Sequence, residues 1–294
     1  MTTIPIEHRV QSDFNGYTFL SKLHHKLERE MFENITLDFS KNTWFDANLC
    51  AVLGAIINSC QKKYNIVEII NTDPSVEQVF LKNDFLANFG GAALFDIHNT
   101  TIKYSKNEKS DIQHIKDKIQ DVIGKPDFPQ LSENVRIEML NSIFEIYTNA
   151  FIHTDCELVY SCGQYYPNKD LPSLDLTIVD LGRTIKRNVN EFLNTNMSGI
   201  ETIEWAMVDS HTTKRKEDNI PGGLGLGIIQ QFIELNNGKI QILSADGFVQ
   251  LDKRNIHKKC FTPSFPGTII TIEFNLNDNS SYCFTYENSN KIEL

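Results

Sequence analysis

Hydrophobic and polar positions along this chain follow two rhythms. Asn34 to Phe39 is a short β-rich run, and Ile66 to Ile70 is a second, closed by Asn71, Thr72, Asp73 and Pro74. Between them Leu49, Val52, Leu53, Ile56 and Ile57 fall on one stripe of a helix that runs to Lys63, with Asp46 offered as its N-cap. Pro74 is placed to open another helix, carrying Val76, Val79, Phe80 and Leu81. Strand, helix, strand, helix at this spacing predicts an open α/β arrangement over residues 1–105.

The pattern changes after that. Ser105 to Gln130 is polar and charged, and Ser110 to Ile123 reads as a helix used as a connector, ended by Gly124 and Pro126. Ser132 then caps a longer helix. On it Glu145, Asn149 and His153 advance about 40° per step and share one stripe, which Asn141 extends one turn back. The opposite side carries Leu140, Ile143, Phe144, Ile146, Tyr147, Ala150 and Phe151, enough apolar surface to seat the helix.

Two strands follow, Glu157 to Cys162 and Leu174 to Val179, joined by a loop from Tyr165 to Pro172. The second runs into Asp180, Leu181 and Gly182. Lys186 to Pro221 is long and polar, with a helix expected from Gly199 to Asp209, and reads as a lid. It ends in glycines 222, 223, 225 and 227, followed at once by a helix that Asn237 and Gly238 terminate. Lys239 to Ser244 and Gly267 to Phe274 are strands, and the residues beyond Asn275 are mostly polar.

Composition narrows the class. The 294 residues are 40% hydrophobic with 9 prolines and 15 glycines, as in a folded chain with one large core or two ordinary ones. No run of about 18 apolar residues exists, so no membrane span is expected. Residues 1–10 lack the apolar centre of a secretory signal. Six scattered cysteines with no CxxC pair argue against structural zinc and a disulfide scaffold, and suit a cytoplasmic setting. A net charge of −10 argues against generic nucleic-acid binding, although a local basic patch can hide inside it.

Three stretches carry candidate chemistry. A carboxylate one turn from an amide, Glu145 and Asn149, suits a hard divalent cation and an attacking water. Asp180 at a strand end beside Gly182 is placed to accept hydrogen bonds from a flat ligand. Glycines before a helix let backbone N–H groups approach an anion. The run at 223–227 lacks the Gly-Lys-Ser/Thr of a Walker loop and does not follow a strand, so neither common phosphate loop fits.

In order, Glu145-x-x-x-Asn149-Ala150-x-x-His153, Asp180-x-Gly182, Gly223-x-Gly225-x-Gly227 and Gly267-Thr268 resemble the GHKL (Bergerat-fold) ATP-binding family. That family spans gyrase, Hsp90, MutL, sensor histidine kinases and anti-sigma-factor kinases. The Asn-Ala-x-x-His ending most resembles the last. The resemblance implies ATP and Mg²⁺ as cofactors, with the metal on Asn149 and Glu145 polarising the attacking water or acceptor hydroxyl. It implies Asp180 on the adenine amino group, Gly182 allowing close approach, and Thr268 on the adenine side. Gly223, Gly225 and Gly227 would line the triphosphate, His153 would close the helix motif, and Lys214 in the lid would reach the γ-phosphate. One departure stands out. The family turn is usually Asp-x-Gly-x-Gly, and Thr184 replaces the second glycine. A β-branched residue resists positive φ, so this turn is expected to differ.

The N-terminal stretch Leu37-Asp38-Phe39, then Trp44-Phe45-Asp46, resembles STAS domains of anti-sigma-factor antagonists. Where their phosphorylated members carry Ser, this chain has Ala47, then Asn48. The expected organisation is α/β throughout: a STAS-like domain over 1–108, a connector over 109–130, a GHKL domain of helices on one mixed sheet over 131–276, and a polar tail over 277–294. The expected function is ATP-dependent signalling, by ATP hydrolysis or Ser/Thr protein phosphorylation; the alternative is a non-catalytic switch gated by nucleotide. A regulatory protein partner is expected, with no membrane and no direct nucleic acid, and a homodimer is left open.

Overall fold

A computed structural model describes residues 2–125, 127–167, 170–208, 226–253, 255–287 and 292–293. The chain opens with β1 (Thr2–Pro5), β2 (Arg9–Val10), α1 (Phe14–Leu27), β3 (Asn34–Asp38), β4 (Trp44–Phe45), α2 (Cys50–Gln61), β5 (Ile66–Ile70) and α3 (Pro74–Lys82). β1, β3 and β5 pair in parallel in that order, with Leu37 between Ile4 and Ile69. β2 and β4 form a second short parallel pair.

Local chemistry explains these helices. Asp13 caps α1 by accepting from the Gly16 N–H at 2.8 Å, and α1 buries Tyr17, Leu20, Ser21, Leu23, His24 and Leu27 at helical spacing. Asp73 caps α3 and Pro74 opens it. Asp46 is not the expected cap. Its carboxylate makes no capping bond to the short 3-10 turn before α2; it accepts instead from Ser12 N–H at 2.6 Å and Trp44 Nε1 at 2.7 Å. α2 is buried on every side from Cys50 to Ile57, as only a helix between two layers can be.

The second layer is a five-stranded sheet. It is built from β6 (Thr101–Asn107), β8 (Val159–Tyr166), β9 (Ser173–Asp180), β10 (Lys239–Asp252) and β11 (Asn255–Asn275), in the order β10-β11-β9-β8-β6. Every pairing is antiparallel, so the expected mixed sheet is corrected. β8–β9 and β10–β11 are sequential neighbours, whereas α4 and α5 lie between β6 and β8, and α6, α7 and α8 lie between β9 and β10. Other elements are α4 (Ile112–Ile123), β7 (Gln130–Leu131), α5 (Glu133–His153), α6 (Ile185–Leu193), α7 (Gly199–Met207), α8 (Gly227–Asn236), β12 (Ser281–Cys283) and β13 (Ile292–Glu293).

Side chains alternate across this sheet. Leu176, Ile178, Ile240, Ile242, Ile270 and Ile272 face a core shared with α4, α5, α6, α7 and α8. Val179, Leu243 and Ile269 face the opposite way, into a core shared with α1, α2, and Ile35 and Leu37 of the parallel sheet. The first of these faces is called the front and the second the back.

Several boundaries differ from expectation. β6 belongs to the antiparallel sheet, so the parallel unit ends before residue 101. α4 is no mere connector: Ile115, Ile119, Val122 and Ile123 are buried in the front core. α6 lies inside the stretch read as a lid. Beyond Asn275, β12 pairs with β7, and Tyr282 is fully buried against Phe232 with ring centroids 4.7 Å apart. Among the described residues, no helix is long and apolar enough to cross a membrane.

β10 is not straight. A 14-residue strand would span roughly 45 Å, yet the Lys253 N–H donates to the Gly238 carbonyl at 3.4 Å. Gln241 Nε2 also reaches Gln250 Oε1 at 2.9 Å. The strand folds back on itself where Ala245 takes φ 53°, and its pairing with β11 shifts register there. Asn255–Cys260 therefore runs beside the returning half, on its outer side.

Candidate nucleotide site

α5 carries the first group of candidate residues. Ser132 Oγ accepts from the Val135 N–H at 3.3 Å, as expected of its cap, and Glu133 lies in the first turn where the helix dipole favours it. Val135, Met139, Ile143, Ile146, Tyr147 and Ala150 are buried against the sheet. On the adjoining stripe Asn149 is buried, while Glu145 and His153 are half-buried. Each four-residue step rises about 6 Å, so Glu145 stands about 12 Å along the helix from His153.

The C-terminal end of α5 is stapled to the turn after β9. The Arg183 N–H donates to the Thr154 carbonyl at 2.7 Å, and Asn188 Nδ2 donates to the His153 carbonyl at 2.9 Å. Asp180 is the last residue of β9, on the front face. One of its oxygens accepts the Gly182 N–H at 2.9 Å. Burial pushes its carboxyl up to about 7, outweighing the Gly182 N–H and the Thr154 hydroxyl that favour the charged form.

Thr268 stands directly opposite Asp180 in the β9–β11 register. Ser244 Oγ donates to the Gly267 carbonyl at 2.9 Å and accepts the Ile185 N–H at 2.9 Å. It also meets Thr268 Oγ1 at 3.0 Å, which makes Thr268 the donor. Two glycines permit this closeness. A Cβ at Gly182 would run into the Thr154 carbonyl, and one at Gly267 into the Asp180 carbonyl.

Thr184 resolves the departure noted in the sequence. It takes φ −72° and ψ 156° and caps α6, its hydroxyl accepting from the Arg187 N–H at 3.2 Å. No positive φ is required there, so a β-branched residue is unstrained.

Gly227 is the first residue of α8, whose Ile229, Phe232 and Ile233 share the front core with α5. Lys214, Gly223 and Gly225 lie outside the described residues. The fold thus joins His153, Asp180, Gly182 and Thr268 at one end of the sheet, with Asn149 and Glu145 one and two turns along α5. Thr154 and Ser244 belong to this arrangement and were missed in the sequence. Thr154 had a signal, since it directly follows the last helical residue; Ser244 had none beyond ending a strand.

The donor set suits a purine and a hard cation. A buried carboxylate with hydroxyls beside it reads an exocyclic amino group. The oxygens of Glu145 and Asn149 are the kind that hold Mg²⁺ together with substrate phosphates. Among the described residues, no cluster of three or more His, Cys, Asp or Glu is placed to hold a metal by itself. Neither a protein-family model nor a curated protein matches the sequence.

Proposed function

We propose that this chain is an ATP-binding signalling protein of the GHKL type, closest to the anti-sigma-factor kinases, with a STAS-like unit on the same chain. The observation that carries the reading is the meeting of Asp180, Gly182, Gly267 and Thr268 against the end of the Glu145 helix. Residues up to 114 positions apart, from Thr154 at the helix end to Thr268, make that arrangement.

In this reading Asp180 accepts the adenine amino group and Thr268 completes the adenine side. Asn149 holds Mg²⁺, which when bound screens the charge of the phosphates. Glu145 orients and deprotonates the attacking water or an acceptor hydroxyl. Gly223, Gly225 and Gly227 receive the triphosphate and Lys214 its γ-phosphate. A cytoplasmic regulatory protein is the expected partner, and all six cysteines are free thiols in keeping with that setting.

Incubation with Mg²⁺ and γ-labelled ATP tests this directly. Glu145→Ala is expected to keep ATP binding and lose turnover by about 10²-fold or more. Undiminished turnover in that variant removes the mechanism, and no calorimetric heat with Mg-ATP removes the site.

One observation favours the second reading, a nucleotide-gated switch. Asn48 Nδ2 donates to Thr177 Oγ1 at 2.8 Å, and Tyr17 OH donates to Thr271 Oγ1 at 2.7 Å. These N-terminal side chains grip the two strands that carry Asp180 and Thr268, three residues away on each. Binding at the front would then be felt by the N-terminal unit at the back. ATP-dependent amide protection in α1 and α2 without turnover would support the switch over the enzyme.

A further inference from the structure

The run Asn255–Cys260 is the outermost strand segment of the antiparallel sheet. It pairs with the returning half of β10 from Asp252↔Asn255 to Gly247↔Cys260. β9 pairs with β11 only from Thr268 onward, so among the described residues nothing pairs with the other edge of 255–260. All six of its residues are exposed.

Parity fixes which backbone groups face outward. Asp252 and Asn255 are the last directly opposed pair before the chain reverses, with two residues between them, and so exchange both hydrogen bonds. His257 and Lys259 bond inward by the same alternation. Ile256, Lys258 and Cys260 therefore aim their N–H and C=O groups away from the sheet. The Lys253 N–H to Gly238 carbonyl bond has the phase this alternation demands on the other side of β10.

This edge is basic in a chain of net charge −10. Lys253, His257, Lys258 and Lys259 are all exposed along it. Lys259 Nζ lies 4.7 Å from the centroid of the Phe14 ring on the back face. Lys258 points to the front, where it already holds the carboxylate of Glu204 from α7. Lysines on an open edge ordinarily keep strands of like charge away. A second copy would set Lys258 and Lys259 against their own counterparts, whereas a strand bearing carboxylates would be drawn to the same edge.

We infer that the 255–260 edge is a docking site for an extended acidic peptide segment of a partner protein, which adds as a further strand. Backbone bonds to Ile256, Lys258 and Cys260 supply the pairing, and the lysines on the two faces select acidic side chains at neighbouring positions, one on each face. The site does not depend on nucleotide.

The test uses the full chain and a blocked peptide of roughly eight residues in which pairs of adjacent Glu alternate with pairs of Val, so that carboxylates fall on both faces, followed by fluorescence anisotropy and amide exchange. The peptide is expected to bind and to protect the amides of Ile256, Lys258 and Cys260 while leaving those of His257 and Lys259 unchanged. Lys258→Glu with Lys259→Glu is expected to weaken binding about tenfold or more. Lys258→Pro removes one outward N–H and no inward bond, so it is expected to weaken binding with the fold intact. Absence of peptide binding overturns the inference, as does protection spread evenly over 255–260. Single-stranded DNA or phosphatidylserine vesicles bound in place of the peptide overturn it too, by showing a plain polyanion surface. Should the proline variant misfold, the amide pattern alone decides.

Discussion

The two faces of the antiparallel sheet are built on different chemistry from the same strands. Along β9, Leu176, Ile178 and Asp180 point to the front, while Thr177 and Val179 point to the back. The front is an apolar seat for helices, with a buried carboxyl, Asp180, at the strand end and a buried lysine, Lys118, on α4. The back is apolar at its rim but holds a closed polar network at its centre. There Thr177 and Thr271 hydroxyls meet at 2.8 Å, Asn48 also reaches Ser12 Oγ at 2.9 Å, and Gln241 Nε2 donates to the Ser12 carbonyl at 3.0 Å. Apolar packing is tolerant of small shifts, whereas a buried network is favourable only when every member has its partner. The back face is therefore the one that fixes the register between the parallel unit and the sheet. The proposed nucleotide site lies at the strand end of the front face, away from that network.

The contrast can be broken at several points. At the front, Gly182→Val drives a side chain into the Thr154 carbonyl; it should abolish nucleotide binding and cost about 3 kcal/mol in urea unfolding. At the back, Asn48→Ala leaves Thr177 and Ser12 short of a partner, and about 2 kcal/mol of stability should be lost with the binding residues untouched.

The Asp180 carboxyl gives a pH signature that belongs to the front alone. Its folded pKa of about 7 lies above the 3.8 of an aspartate carboxyl in an unfolded chain. Between those values the folded state holds the extra proton, so its share of stability falls as pH rises, by at most about 1.4 kcal/mol per pH unit. Asp180→Asn should flatten that slope in denaturation midpoints measured across the same range. ATP affinity should move the opposite way, rising until the carboxylate is fully ionised.

Smaller effects sharpen the comparison. Tyr17→Phe removes one hydroxyl from the back network and should cost about 1 kcal/mol. Lys62→Ala breaks the exposed 2.7 Å pair with Glu157 that also spans the two units, and its denaturation midpoint should not move. A loss from Lys62 as large as that from Asn48 would show that surface charge, not the buried network, holds the units together.

Much of the site was legible because it is local. The Glu145, Asn149, His153 stripe follows from helical geometry, and its apolar opposite face is buried as the spacing demands. Asp180 at a strand end and the cap at Ser132 are likewise short-range facts. The misreadings came from contacts that no window of sequence contains. Asp46 has the position of a cap, but a backbone N–H 34 residues away takes its carboxylate. Thr184 looks wrong for a glycine turn, yet the turn it occupies is the start of a helix.

By itself, the order of residues determined β3, α2, β5 and α3 of the N-terminal unit, the amphipathic face of α5 and the place of Asp180 at a strand end, but not β1, β2, α1 or β4. Those properties depend on neighbours within a turn or two of chain. Only the tertiary structure decided that α2 is covered on both sides, that residues 101–123 join the second sheet, that β10 doubles back, and that Thr268 faces Asp180. Each of these pairs groups distant in sequence, and which partner a buried strand or hydroxyl finds is settled by packing the whole chain at once.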